Sequence, residues 1–208
     1  MIYLFHNINQ NPSNKWEITP KEFQNFVDNL KLKDILSLEI HFDDAREGIY
    51  TYAYPILKPF LSILKVTIFV VPEWINGFIP KHEQYSKFMS WEQLKILSDE
   101  GMEIASHSLN HPDLTTLSKK DLRFEVTKSR KILKKRLGLP RINKFSYPYG
   151  LYNKQVLDLV RKHYCFAYGL SPPNKKYDNY LPKNIYKDFT IPRIMISSHT
   201  LKVGASND

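Results

Sequence analysis

A chain of 208 residues with 42% hydrophobic and 25% charged residues has the composition of a globular protein, which excludes a disordered or collagen-like polymer. The length can bury a sizeable core, and residues 1–208 read as a single domain. A count of 30 basic against 21 acidic residues leaves a formal charge of +9, and one cysteine, Cys165, excludes an internal disulfide scaffold.

Ile2 to Phe5 reads as a first strand. It is too short for a signal-peptide core and no basic region precedes it, so the chain as written is expected in the cytoplasm, or outside it if a leader was removed. Thr19-Pro20-Lys21-Glu22 is a capping box with proline at the first helical position, which predicts a helix to about Leu32. Leu36 to Phe42 and Val66 to Val71 read as strands, the second apolar throughout, as for a strand covered on both faces. Pro72 to Met89 is a long irregular stretch. Ser90-Trp91-Glu92-Gln93 is a second capping box, with Gly101 placed to end that helix before a strand over Met102 to Ser106. Ser118 caps a third helix with an apolar stripe of Leu122, Val126, Leu133 and Leu137, stopped by Gly138. That helix also carries the densest basic run, including Lys128, Arg130, Lys131, Lys134, Lys135 and Arg136. It reads as a solvated face; no nucleic-acid motif accompanies it, so no nucleic-acid partner is expected.

Lys144 to Tyr147 reads as a strand, Asn153 to His163 as a helix, and Tyr164 to Tyr168 and Ile191 to Ile196 as the last strands, with a second irregular stretch over Gly169 to Thr190. No apolar run is long enough for a membrane span. Strands alternating with helices predict an α/β fold with a parallel sheet, open or closed; about seven strands would make a compact barrel.

Three segments at predicted strand ends carry chemistry, and in parallel α/β folds those ends hold active sites. His41-Phe42-Asp43-Asp44-Ala45 offers adjacent carboxylates whose side chains diverge, one free to bind a metal and one to face a substrate; a solvated turn fits equally well. His107-Ser-Leu-Asn-His111-Pro112 offers two imidazoles. With Asp44 they make the two-histidine, one-carboxylate set of a catalytic metal with an open position. Phe145-Ser-Tyr147-Pro148-Tyr149-Gly150 can aim a backbone N–H at an oxyanion, although the residues alone favour an ordinary strand-to-helix turn.

In this order the three segments resemble the motifs of the polysaccharide deacetylase family, the NodB homology domain or carbohydrate esterase family 4. Its first motif is Thr-Phe-Asp-Asp-Gly, its second His-Ser/Thr-x-x-His, and its third often ends Tyr-Pro-Tyr-Gly. Tyr3 to Ile8, Ile18 to Leu30, Pro55 to Lys58, Ser90-Trp91, Gly101 to Ile104 and Pro192 to Ile194 resemble the branch containing biofilm-polysaccharide N-deacetylases. The resemblance implies a distorted (β/α) barrel of about seven parallel strands and metal-dependent hydrolysis of an acetyl group on a carbohydrate. It implies Asp43 as general base and Asp44, His107 and His111 as ligands of a divalent ion, zinc first, with nickel or cobalt as alternatives. It also implies the Tyr149 N–H as oxyanion donor. Trp74, Tyr147 and Pro148, with Tyr177 and Tyr180, are candidates for contact with the sugar; for Trp74, Tyr177 and Tyr180 a core or loop-anchoring role fits at least as well. The expected partner is an acetylated carbohydrate. An O-acetyl esterase, or a deacetylase fold that binds sugar with little turnover, is the alternative.

The sequence departs from the pattern at four places. Ala45 stands where the family has glycine, and His41 where it has threonine or serine, read as facing outward or supporting the site from behind. No arginine lies within Phe145 to Gly150, and Arg193 is the candidate to orient Asp43 in its stead. The late Leu-x-His motif is missing, and His199 is the candidate general acid, weighed against an exposed tail histidine.

Overall fold

The computed structural model describes residues 1–31, 35–83, 86–170, 187–198 and 200. In chain order these form β1 (Ile2–Phe5), β2 (Asn7–Ile8), β3 (Glu17–Ile18), α1 (Pro20–Asp28), β4 (Glu39–Phe42), α2 (Tyr54–Leu57), β5 (Lys65–Val70), α3 (Pro72–Ile75), α4 (Trp91–Asp99), β6 (Glu103–Ser106), α5 (Lys119–Leu137), β7 (Lys144–Ser146), α6 (Lys154–Val160), β8 (Phe166–Tyr168) and β9 (Ile194–Met195). Seven parallel strands make one sheet in the order β8-β7-β6-β5-β4-β1-β9, as the alternating pattern predicts. The described residues fall into two compact units, one within Met1–Ile68, Tyr85–Glu103 and Met195–Asp208, the other within Phe69–Gln84 and Ile104–Ile194.

In the first unit β4 is flanked in register by β1, with Phe5 opposite Phe42, and by β5, with Ile40 opposite Val66. Phe5, Phe23 and Phe42 are buried, and their ring centroids lie 5.2–5.9 Å apart, so α1 is pinned over this part of the sheet by aromatic packing. Thr19 and Glu22 close the expected capping box, but α1 stops at Asp28, short of Leu32. The small ribbon of β2 and β3, and the helical segment from a π-type turn at Ile49–Ala53 into α2, were not legible in the sequence. Both are short, and β-branched and aromatic residues with Pro55 disguise the helical segment. Gly48 sits where a Cβ would stand 1.8 Å from the Ile8 carbonyl oxygen, so the start of this segment requires glycine.

The second unit builds on the end of β5. The His107 N–H donates to Val70 O at 2.9 Å, and Ser106 pairs with Phe145. Ser118 caps α5 as expected, and Gly138 ends it in the left-handed region at φ 66°. Ser129 of α5 meets Ser106 hydroxyl to hydroxyl at 2.7 Å, and the buried Tyr164 hydroxyl donates to Val126 O at 2.8 Å. Pro72 to Met89 is less irregular than its composition implies, since α3 forms on Pro72. Of Gly169 to Thr190, residues 171–186 lie outside the described residues. No helix among the described residues is long and apolar enough to cross a membrane.

Candidate functional site

Asp43 and Asp44 follow directly on β4. The Asp43 N–H donates to Phe5 O at 3.1 Å, which continues the β1–β4 ladder one residue past the strand. Beyond it the chain turns: Asp44 has φ 72° and Ala45 φ 57°. Ala45 therefore adopts a positive φ, which glycine would meet without strain, at a steric cost of about 1–2 kcal/mol. Met89 N–H holds the turn through Ala45 O at 2.9 Å. Both carboxylates are buried. Arg46, which the sequence reading passed over, donates to Asp44 Oδ2 from Nε at 3.3 Å and Nη2 at 3.1 Å, and its Nη1 donates to Ser86 Oγ at 2.7 Å. One Asp44 oxygen is thereby fixed and the plane of the carboxylate set. His41 does not face outward: it is fully buried, with Nε2 3.1 Å from Glu39 Oε2.

The second segment leaves β6 at His107. The His107 Nδ1 lies 2.8 Å from the Ser146 carbonyl oxygen. A carbonyl only accepts, so the Nδ1–H donates to it and Nε2 is the nitrogen turned toward His111. Ser108 at φ 63° turns the chain, its Oγ accepts from His111 N–H at 2.9 Å, and His111 follows at φ 59°. Glu125 of α5, also missed in the sequence, reaches under this loop. Its buried carboxylate accepts from Leu109 N–H at 2.9 Å, Asn110 N–H at 3.0 Å and Asn110 Nδ2 at 2.9 Å. A lone acidic residue on an apolar helix face was the only signal.

The two histidines present Nε2 to Nε2 at 3.2 Å. Asp44, His107 and His111 each offer one ligand atom, all within 4.8 Å of one another. Two imidazole nitrogens sharing a tetrahedral ion, each about 2.05 Å from it, stand about 3.3 Å apart. The donor set therefore fits a small divalent cation.

The third segment turns tightly over Pro148–Gly150, with Tyr149 at φ 57° and Gly150 at φ 67°. The half-exposed Tyr149 ring lies 4.6 Å from the His111 ring, and Trp74 lies 5.1 Å from it. Three of the expected sugar contacts are buried. Trp74 is only 3% exposed and forms a wall of His111 rather than an open platform. Tyr147 is fully buried, and its hydroxyl donates to Phe189 O at 2.9 Å. Burial, with the nearby Tyr152, raises the Tyr147 phenol well above its ordinary range. Pro148 is buried too, so the turn exposes the Tyr149 side chain instead. Arg193 is fully buried; its Nη2 donates to Ser146 Oγ at 2.7 Å and its Nε to Gly169 O at 3.2 Å, with the guanidinium over Phe69. Tyr177, Tyr180 and His199 lie outside the described residues.

A family model described as polysaccharide deacetylase matches residues 34–165. A Staphylococcus aureus protein named poly-beta-1,6-N-acetyl-D-glucosamine N-deacetylase is 32% identical over 171 residues, 77% of this chain and 54% of that protein. The chain spans about half the length of the curated relatives it matches. Among solved structures, the Streptococcus pyogenes deacetylase PplD in complex with acetate superposes with a TM-score of 0.74 at 22% identity, covering 94% of this chain and 91% of that one. IcaB from Ammonifex degensii superposes with a TM-score of 0.71 at 17% identity, covering 99% and 94%.

Proposed function

The chain belongs to the polysaccharide deacetylase family, and on that premise we infer that it is one deacetylase domain that hydrolyses the acetyl amide of N-acetylated sugars in a polysaccharide. The observation that carries this reading is the donor set of Asp44, His107 and His111, spaced for one divalent ion. We assign zinc, because a neutral two-imidazole, one-carboxylate set suits it. When bound, such an ion supplies Lewis-acid polarisation of the acetyl carbonyl and lowers the pKa of water.

The residues around it divide the remaining work. Asp43 accepts the proton of the attacking water on its carboxylate. The Tyr149 N–H donates to the oxygen that gains charge as the carbonyl carbon becomes tetrahedral. The exposed Tyr149 ring gives a sugar face something to lie against. Ser146 O holds the His107 Nδ1–H and so turns Nε2 toward the ion, and Arg46 holds one oxygen of Asp44. Arg193 brings a fixed positive charge that orients Asp43, and His199 protonates the leaving amine.

The test is elemental analysis of the purified chain beside His107→Ala, together with acetate release from N-acetyl and O-acetyl oligosaccharides. About one divalent ion per chain, lost in the variant, with acetate released from N-acetyl sugars, is the expected result. Metal bound with no acetate from any sugar would favour a binding role, and acetate from O-acetyl sugars alone an esterase.

A further inference from the structure

Beyond the catalytic residues, the second unit has a cavity of about 670 Å³ between α5 and α6. Its volume is that of a small-molecule site. Four cations line it, Lys119 and Arg123 from α5 and Lys154 and Lys162 from α6, against one carboxylate, Asp158. Asp158 is already engaged by Lys154 one helical turn away, at 2.6 Å. Among the described residues no carboxylate pairs with Lys119, Arg123 or Lys162. Leu122 and Leu159 give the cavity an apolar floor. The positive field is felt next door: His163 is held below the ordinary histidine range, first by burial and then by Arg123, Arg130, Lys162 and Lys131.

The fold ties one end of this groove to the chemistry-bearing loops. Each helix follows a loop that leaves the sheet, 107–118 after β6 with His107 and His111, and 147–153 after β7 with Tyr149, so Lys119 and Lys154 stand where those loops end. Asn153, the α6 cap, ties the two loops by donating to Thr115 O at 3.4 Å. Lys162 follows the last turn of α6 at the far end.

We propose that the α5–α6 groove binds an acidic segment of the glycan substrate, so that the polymer this chain deacetylates carries phosphate or carboxylate groups. This rests on the deacetylase reading and adds the substrate class to it. The charge decides the direction. Deacetylation turns a neutral N-acetyl sugar into an ammonium, which a groove with three net positive charges repels (four cations less Asp158). The deacetylated amine is therefore not its ligand, whereas an anionic sugar pairs with the lysines and lays its apolar ring face on Leu122 and Leu159. Phosphate and carboxylate share this chemistry.

The experiment compares fluorescein-labelled N-acetylglucosamine tetramers by anisotropy: neutral, phosphorylated and carboxylated. Each is titrated with the metal-loaded chain and with a Lys119→Glu, Arg123→Glu, Lys162→Glu triple variant whose fold is checked by circular dichroism. All three positions are exposed, so reversal leaves the core intact. The expected result is tighter binding of one or both acidic tetramers than of the neutral one, weakened by salt. The triple variant should weaken it by roughly tenfold, the sum of three solvent-screened pairs. Acetate release from the neutral tetramer should be unchanged in the variant. Equal binding of neutral and acidic tetramers, or acidic binding untouched by the triple reversal, overturns the groove. If the unmodified chain releases no acetate from any tetramer while the reversal still abolishes acidic binding, the deacetylase reading fails and the groove stands. Whichever acidic tetramer binds more tightly identifies the group.

Discussion

Glu125 is the sharpest place to perturb the loop of the proposed metal site without touching its imidazoles. Its carboxylate is 7% exposed and accepts three hydrogen bonds from Leu109 and Asn110, midway between His107 and His111. A hydrogen bond to a charged acceptor contributes about 1.5–3 kcal/mol, and a buried donor stripped of its partner loses about 1–3 kcal/mol. The Leu109 bond is buried and the two Asn110 bonds partly so; water rescues part of the latter, which leaves about 3–5 kcal/mol holding the loop. Glu125→Ala should therefore lower the melting temperature of the metal-stripped chain. It should also weaken zinc binding by about 10–100-fold, because His111 no longer arrives preorganised. Glu125→Gln keeps one oxygen for the two backbone N–H groups, and the Asn110 amide can turn to meet the new donor, so its affinity should stay near the original. Competition against a chromophoric chelator gives the affinities, and thermal unfolding in chelator gives the stability. The refuting result is Glu125→Ala that melts lower yet binds zinc as tightly as the unmodified chain: Glu125 would then support α5 alone. Glu125→Gln failing as badly as Ala would show that charge, not the hydrogen-bond pattern, sets the loop.

Three further outcomes follow from single sites. Gly48→Ala would drive a Cβ to 1.8 Å from Ile8 O and 2.5 Å from Asn7 Oδ1, so chemical denaturation should show a loss of more than about 3 kcal/mol. Burial pushes the Glu17 carboxyl up, but hydrogen bonds from Ser13, Asn7 and Asn9 outweigh it and hold the group below its ordinary value of 4.5. A depressed carboxyl stabilises the fold above its unfolded pKa, and that stability is lost as pH falls through the folded value. The stability gap between the unmodified chain and Glu17→Gln should be full at neutral pH and close below pH 4.5; a gap that widens in acid reverses the sign. Arg193→Met strips Ser146 Oγ and Gly169 O of a buried donor and should cost about 2–4 kcal/mol in the metal-stripped chain. Full acetate release with an unchanged pH profile in that variant would exclude a role toward Asp43.

The sheet and the cluster of Asp44, His107 and His111 were legible in the sequence because both follow from local rules. Apolar runs between capping boxes located all seven strands of the main sheet, and Thr19, Ser90 and Ser118 cap the helices they mark. Strand-end placement singled out Asp44, His107 and His111 before any contact was known. What stayed hidden depends on tertiary neighbours. Nothing near His107 in the chain foretells Ser146 as the acceptor of its proton, and Glu125 becomes meaningful only once α5 packs under the loop it clamps. Tyr147 and Tyr149 sit alike in the sequence on either side of Pro148, yet the first is fully buried and the second half-exposed. The difference lies in the turn itself, where Tyr149 has φ 57° and Tyr147 is extended.

That turn belongs to a wider pattern. Among the described residues the non-glycine positions with positive φ are Asp44, Ala45, Ser108, His111 and Tyr149, and every one lies in the three chemistry-bearing segments. Elsewhere the chain meets the same demand with glycine, as Gly101 and Gly138 do after helices. Glycine would relieve the backbone at Asp44 or His111, but would delete the carboxylate or imidazole that each brings to the donor cluster. A polar side chain and a left-handed backbone meet at the same residue, so each such position holds of order 1 kcal/mol or more of strain that the surrounding packing must offset. Met89 N–H on Ala45 O, Ser108 Oγ on His111 N–H and Glu125 on the loop between the histidines are the bonds that offset it. A sequence displays its turns through glycine and proline, so a site bent by other residues is the part of the fold it displays least.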